Sequence, residues 1–158
     1  MKYRRLTNEE LKELEKEFIN FLVANTITAD DWLKIKELDP EKAEVLIEMF
    51  SDVVLDKVLR KVQFVEHRGE RDLIIFNCGK DEIELFGLTV SEELEVDLTN
   101  EASVISMLLN SEMLDGNVKS FHQTKRYQKE RELEVFEMIQ SGCLITDDSI
   151  YNTLKGLY

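Results

Sequence analysis

The chain has 158 residues, 43% of them hydrophobic, with one proline and six glycines. That is length for one domain, apolar content that excludes wholesale disorder, and few loops between long regular elements. The formal net charge of −13 repels nucleic acid and anionic membrane and favours a basic partner or none.

The chain starts "MKYRRLTNEELKELEKEF", where acids follow the basic residues before any apolar run, and "FINFLVA" is far short of the roughly 20 apolar residues a bilayer needs. No signal peptide and no membrane segment are expected, so the expected compartment is the cytoplasm. Thr7 and Glu10 have capping-box spacing, and Leu11, Leu14, Phe18, Phe21 and Leu22 follow on one helical face. Thr28 and Asp31 repeat the cap before "DWLKIKEL". Asp39-Pro40 opens a third helix, with Ala43, Leu46, Ile47, Phe50, Val54 and Val58 as an apolar stripe that Val53, Leu55 and Leu59 widen. This helix is expected to be the most buried element.

The hydrophobic period then falls to two. "KVQFVEH", "DLIIFNC" and "EIELFGLTV" read as strands joined by the short turns "RGE" and "GKD", an antiparallel meander. Glu82 and Glu84 alternating with Ile83 and Leu85 predict one face on the core and one in water. "LEVDL", residues 94–98, adds a candidate fourth strand. Thr99 is expected to cap a short helix through Leu109, and residues 110–123 read as a loop. A long helix follows over 125–141 with Gly142 as its stop, and Thr146 caps a last helix. The expected fold is α+β: N-terminal helices packed on a small three- to four-stranded antiparallel sheet, then C-terminal helices, as one domain over 1–158.

The stretch "MKYRRLTNEELKELEKEFINFLVANTITADDW", the later "KAEVLIEMFSDVVLDKVLRKV" with "EHR", and "SGCLITDD" together resemble a family of small bacterial proteins described only as a domain of unknown function. The resemblance covers most of the chain and is weakest over 92–125. It implies a bacterial cytosolic protein of one domain and brings no activity, ligand or catalytic residue with it.

Candidate chemistry is sparse. Two cysteines, Cys78 and Cys143, are too few for a disulfide scaffold. His67 and Cys78 fall in adjacent strands and can share a face, and the thiol is an activated nucleophile only within hydrogen-bond reach of the imidazole. The competing assignment is a small core thiol and an edge histidine. Cys143 follows a helix C-terminus, where the dipole disfavours thiolate. Isolated histidines and cysteines lack metal-ligand spacing, and no phosphate loop or nucleophile elbow is present, so no metal and no cofactor is expected.

Charge segregation is the strongest feature. Residues 81–118 hold ten acids and no lysine or arginine, and 119–131 then hold five bases and one acid. One reading pairs the two internally. The other makes Asp81, Glu82, Glu84, Glu92, Glu93, Glu95 and Asp97 an acidic surface for a basic protein partner. The leading expectation is therefore a non-catalytic cytosolic interaction or regulatory protein. One alternative is a small enzyme using Cys78 with His67, or a buried carboxylate pair. Another is nucleic-acid contact through Lys125, Arg126, Lys129 and Arg131, with Phe121, His122 and Tyr127 stacking on bases.

Overall fold

Both threonine caps form in the computed structural model, which describes residues 1–110 and 116–156. Thr7 Oγ1 accepts from the Glu10 N–H at 3.2 Å while the Glu10 carboxylate accepts from the Thr7 N–H at 2.8 Å, starting α1 (Asn8–Glu13). The apolar face 11–22 continues past a one-residue break at Leu14 into α2 (Glu15–Ala24). The second box, Thr28 with Asp31, starts α3 (Ala29–Leu38). Asp39 accepts from the Lys42 N–H at 3.1 Å ahead of α4 (Pro40–Lys61).

The chain divides into two compact units, Met1–Leu59 and Arg60–Tyr158. In the first, Phe18, Phe21, Trp32 and Phe50 form an aromatic cluster with centroids 5.0–6.3 Å apart. The N-terminal strap is tied to α4. Lys2 and Tyr3 N–H groups donate to Asp52 at 2.7 and 3.0 Å, and the Leu6 N–H donates to the buried Ser51 hydroxyl at 3.0 Å. The expected breadth of the α4 stripe is corrected here. Ala43, Leu46, Phe50 and Leu59 are buried, but Val53 and Val58 are exposed, because a helix offers its core one stripe only. α4 is not the most buried element: five of its 22 residues are buried, against six of nine in the strand over residues 82–90 of the second unit.

That unit opens with the expected meander: β1 (Phe64–Arg68), β2 (Asp72–Cys78) and β3 (Glu82–Val90). Then come α5 (Glu101–Leu109), β4 (Val118–Arg126), α6 (Arg131–Gln140), β5 (Leu144–Thr146) and α7 (Ser149–Lys155). The fold is α+β, with helices, then an antiparallel sheet, then C-terminal helices. The sheet has five strands, in the order β4-β3-β2-β1-β5.

Several boundaries differ from expectation. Residues 94–98 form no strand. Both edges of β3 are taken by β2 and β4, and Leu94, Val96 and Leu98 instead turn inward from a loop onto the core. The added strand is β4, in residues expected as loop and helix start; residues 111–115 of that expected loop lie outside the described residues. Asn100, not Thr99, caps α5 by accepting from the Ser103 N–H at 3.2 Å. Thr146 ends β5 instead of capping α7, which follows Asp148. Gly142 does stop its helix, at φ +113°.

Leu73 and Ile75 of β2 and Phe86 and Leu88 of β3 share one sheet face, packed with Val104 and Met107 of α5 and Ile150 and Leu154 of α7. On the opposite face Val65, Cys78, Ile83 and Leu85 are buried too. The expectation of one solvated face is therefore corrected: β3 is covered on both, and Glu84 lies on the face that carries Phe86 and Leu88.

Candidate functional site

The β1–β2 register decides the cysteine–histidine question. His67 stands opposite Ile74, and Cys78 lies four positions further along β2. The two side chains do share a sheet face, but about 13 Å of strand separates them. His67 Nε2 lies 2.9 Å from the Asp72 carboxylate instead. Cys78 is 2% exposed, and burial pushes its thiol up to about 11, so it stays protonated at neutral pH. Burial also raises the Cys143 thiol. No nucleophile–base pair forms here.

The basic residues near Cys78 are structural in part. Arg131, at the start of α6, donates to the carbonyls of Gly79 at 3.0 Å, Cys78 at 2.9 Å and Val62. The Tyr127 hydroxyl donates to the Gly79 carbonyl at 2.9 Å. Lys129 pairs with Glu137 at 2.5 Å, and Lys125 reaches Glu134 at 3.8 Å. Arg126 stands opposite Glu82 in the β3–β4 register.

The acidic residues fall into two groups at opposite ends of β3, roughly 26 Å apart along the strand. Asp81, Glu82 and Glu84 sit at its start. Glu84 accepts from the Tyr151 hydroxyl and lies 3.0 Å from His122 Nε2, and these bonds hold its carboxyl below the usual range. Glu92, Glu93, Glu95 and Asp97 lie beyond its end, on the loop whose carbonyls at Ser91 and Leu94 the Arg71 guanidinium holds. Asp97 accepts from the Thr99 hydroxyl and N–H, which lower its pKa.

β4 is positioned from β3. Phe121 stands opposite Gly87, and its ring lies where a Cβ on Gly87 would be, 2.1 Å from the ring's far carbon. On the other face, the His122 ring stacks on Phe86 at 4.4 Å and 10°. These two cross-strand pairs fix the register. Among the described residues no strand pairs outward of them: β4 is the sheet's edge, and every residue from Lys119 to Arg126 is exposed. Strand alternation puts Lys119, Phe121 and Lys125 on one face and His122 and Arg126 on the other. The open edge thus carries three cations and no carboxylate.

A family model, the family of unknown function DUF6495, matches residues 1–158. The chain belongs to this family. No curated protein and no solved structure matches it. For this DUF6495 member, no described helix is long and apolar enough to cross a membrane. Among the described residues, no group of three or more histidine, cysteine or acidic side chains is arranged to hold a metal ion. Sequence reading missed Lys119 as a site residue, and missed Arg71 and Arg131 as carbonyl clamps. The partners of the two arginines are backbone atoms, which leave no residue-type signal.

Proposed function

We propose that the protein is a non-catalytic cytosolic binding protein that takes an extended, acidic segment of a protein partner onto the outer edge of β4. The observation that carries this reading is a nine-residue edge strand, exposed on both faces from Lys119 onward, with cations near both ends. An edge strand presents a row of backbone donors and acceptors that a partner strand can complete. Its charges select the partner. A second β4 alongside would bring like charges together, whereas an acidic strand is attracted. Two buried free thiols, Cys78 and Cys143, fit a reducing compartment.

The test is fluorescence anisotropy with a labelled ten-residue peptide of alternating glutamate and valine. Saturable binding is expected, weakened at least about 10-fold by the triple change Lys119→Glu, Lys125→Glu and Arg126→Glu. N-methylation of alternate peptide amides, made in both registers, should abolish binding in one of them. Binding indifferent to N-methylation in both registers, or to charge reversal, overturns the proposal. So does single-stranded RNA that binds more tightly than the peptide and loses affinity in the same triple variant.

One observation favours a second surface. The Arg71 clamp and the buried Leu98 hold residues 92–97 so that Glu92, Glu93, Glu95 and Asp97 are exposed together. That loop suits a basic protein surface. Changing these four to lysine should abolish capture of a polylysine peptide with the far-ultraviolet circular dichroism unchanged. Undiminished capture removes this reading.

A further inference from the structure

α2 and α3 form a helical hairpin in the first unit, reversing direction over residues 25–28, where the Ile27 N–H donates to the Leu22 carbonyl at 2.9 Å. Between them lies a cleft of about 620 Å³. Phe18, Leu22, Ile27 and Trp32 contribute to its lining, and the Phe18 and Trp32 rings meet edge-on at 5.1 Å. Ile19, Val23 and Leu33 also line it and remain 51%, 63% and 58% exposed. Isolated exposed aliphatics need no explanation, but three around one aromatic-lined cleft amount to apolar surface without a covering partner.

The polar groups of this cleft are not spread evenly. In an antiparallel hairpin the start of α2 neighbours the end of α3. Asn8, Lys12, Glu15 and Lys36 therefore gather at the open end, while Val23, Ile27 and Ala29 close the other at the turn. Lys36 Nζ lies 5.7 Å from the Trp32 ring centroid, within range for a cation–π contact. Among the lining residues, two lysines, Lys12 and Lys36, stand against one acid, Glu15. Helices of ten residues make the groove about 15 Å long. The turn blocks one end, which disfavours a through-running peptide helix.

We propose that this cleft is a binding site for a small amphiphile with one anionic head group and an unbranched apolar tail. The head lies between Lys12 and Lys36, and the tail runs over Phe18 and Trp32 toward Ile27. The volume falls in the range of ligand pockets, which combine apolar walls with a few placed polar groups. The cleft shares no residue with β4, and neither proposal depends on the other.

Trp32 is the chain's single tryptophan, so its emission reports occupancy directly. The experiment titrates the full-length protein with decanoate below its micelle threshold, following Trp32 fluorescence and, in parallel, calorimetric heat. Decyltrimethylammonium and decanol serve as cationic and neutral probes of equal tail length. Saturable one-to-one decanoate binding is expected, tighter than either control. Lys12→Glu with Lys36→Glu should weaken it about 10-fold or more and reverse the preference toward the cationic probe. Val23→Asp, at an exposed position, should abolish binding of all three. Because Lys36→Glu also alters the indole's surroundings, affinities for that variant are taken from calorimetry. No saturable heat with decanoate, equal affinity for all three probes, or retention of binding in Val23→Asp overturns the site. Enrichment on anionic vesicles that exceeds binding of monomeric decanoate overturns the soluble-ligand assignment in favour of a lipid surface.

Discussion

Three side chains show how single residues set local stability and reactivity. Ser51 is fully buried, accepts from the Leu6 N–H and donates to the Ile47 carbonyl at 2.7 Å. Ser51→Ala leaves a buried donor without its acceptor. Chemical denaturation should show a loss of about 1–3 kcal/mol, and an unchanged midpoint would contradict the strap's role. Arg131 satisfies three carbonyls that a shorter or neutral side chain cannot reach together. Cys78 is a thiol whose folded pKa of about 11 exceeds its ordinary value of 9.0. The unfolded chain therefore loses this proton first, and stability falls as pH rises from about 9 through about 11. Alkylation by iodoacetamide at pH 8 should modify Cys78 only on unfolding; rapid native labelling would overturn its assignment as a core thiol.

Element by element, β4 is the strand that depends most on its cross-strand pairs. It has no buried residue, so its attachment rests on the ladder to β3 and on Phe121 over Gly87 and His122 over Phe86. Gly87→Ala puts a methyl group into the space of the Phe121 ring. The ring can swing into solvent, so the unit still folds, but the cross-strand pair is lost. Amide hydrogen exchange should accelerate in 118–126 and stay unchanged in β1 and β2. At the other end of the chain, Arg4 and the Thr7 N–H hold the Glu10 carboxyl near 2. Its contribution to α1 is present above the ordinary carboxylate range, near 4.5, and is lost as pH falls through about 2. Proton resonances of Asn8–Glu13 should report local fraying over that window.

For the whole molecule, the charge of −13 acts in two opposed ways. Self-repulsion works against the folded state, while attraction between cationic β4 and an acidic strand supports association. Salt screens both. Raising sodium chloride from about 20 mM to about 300 mM should raise the thermal midpoint and lower the affinity for the glutamate–valine peptide. Affinity that stays constant or rises with salt would mean that charge does not govern the β4 contact.

What the sequence by itself determined is what three or four neighbouring residues decide together. The Thr7–Glu10 and Thr28–Asp31 boxes, the Gly142 stop and the alternation of β1 to β3 were legible because their partners are close in the chain or their period is strong. β4 was not legible. With both faces in water, "SFHQTK" has no apolar alternation, and only the free edge of β3, 32 or more residues earlier, makes it a strand. Residues 94–98 are the converse: they alternate, but both neighbours of β3 are already in place, so they fold inward as a loop. His67 and Cys78 were readable as sharing a face, yet their separation awaited the register. The cleft beside Trp32 and the open cationic edge were likewise decided by tertiary structure. Helix caps are satisfied locally, whereas a strand edge or a cleft exists only once distant segments have settled beside one another.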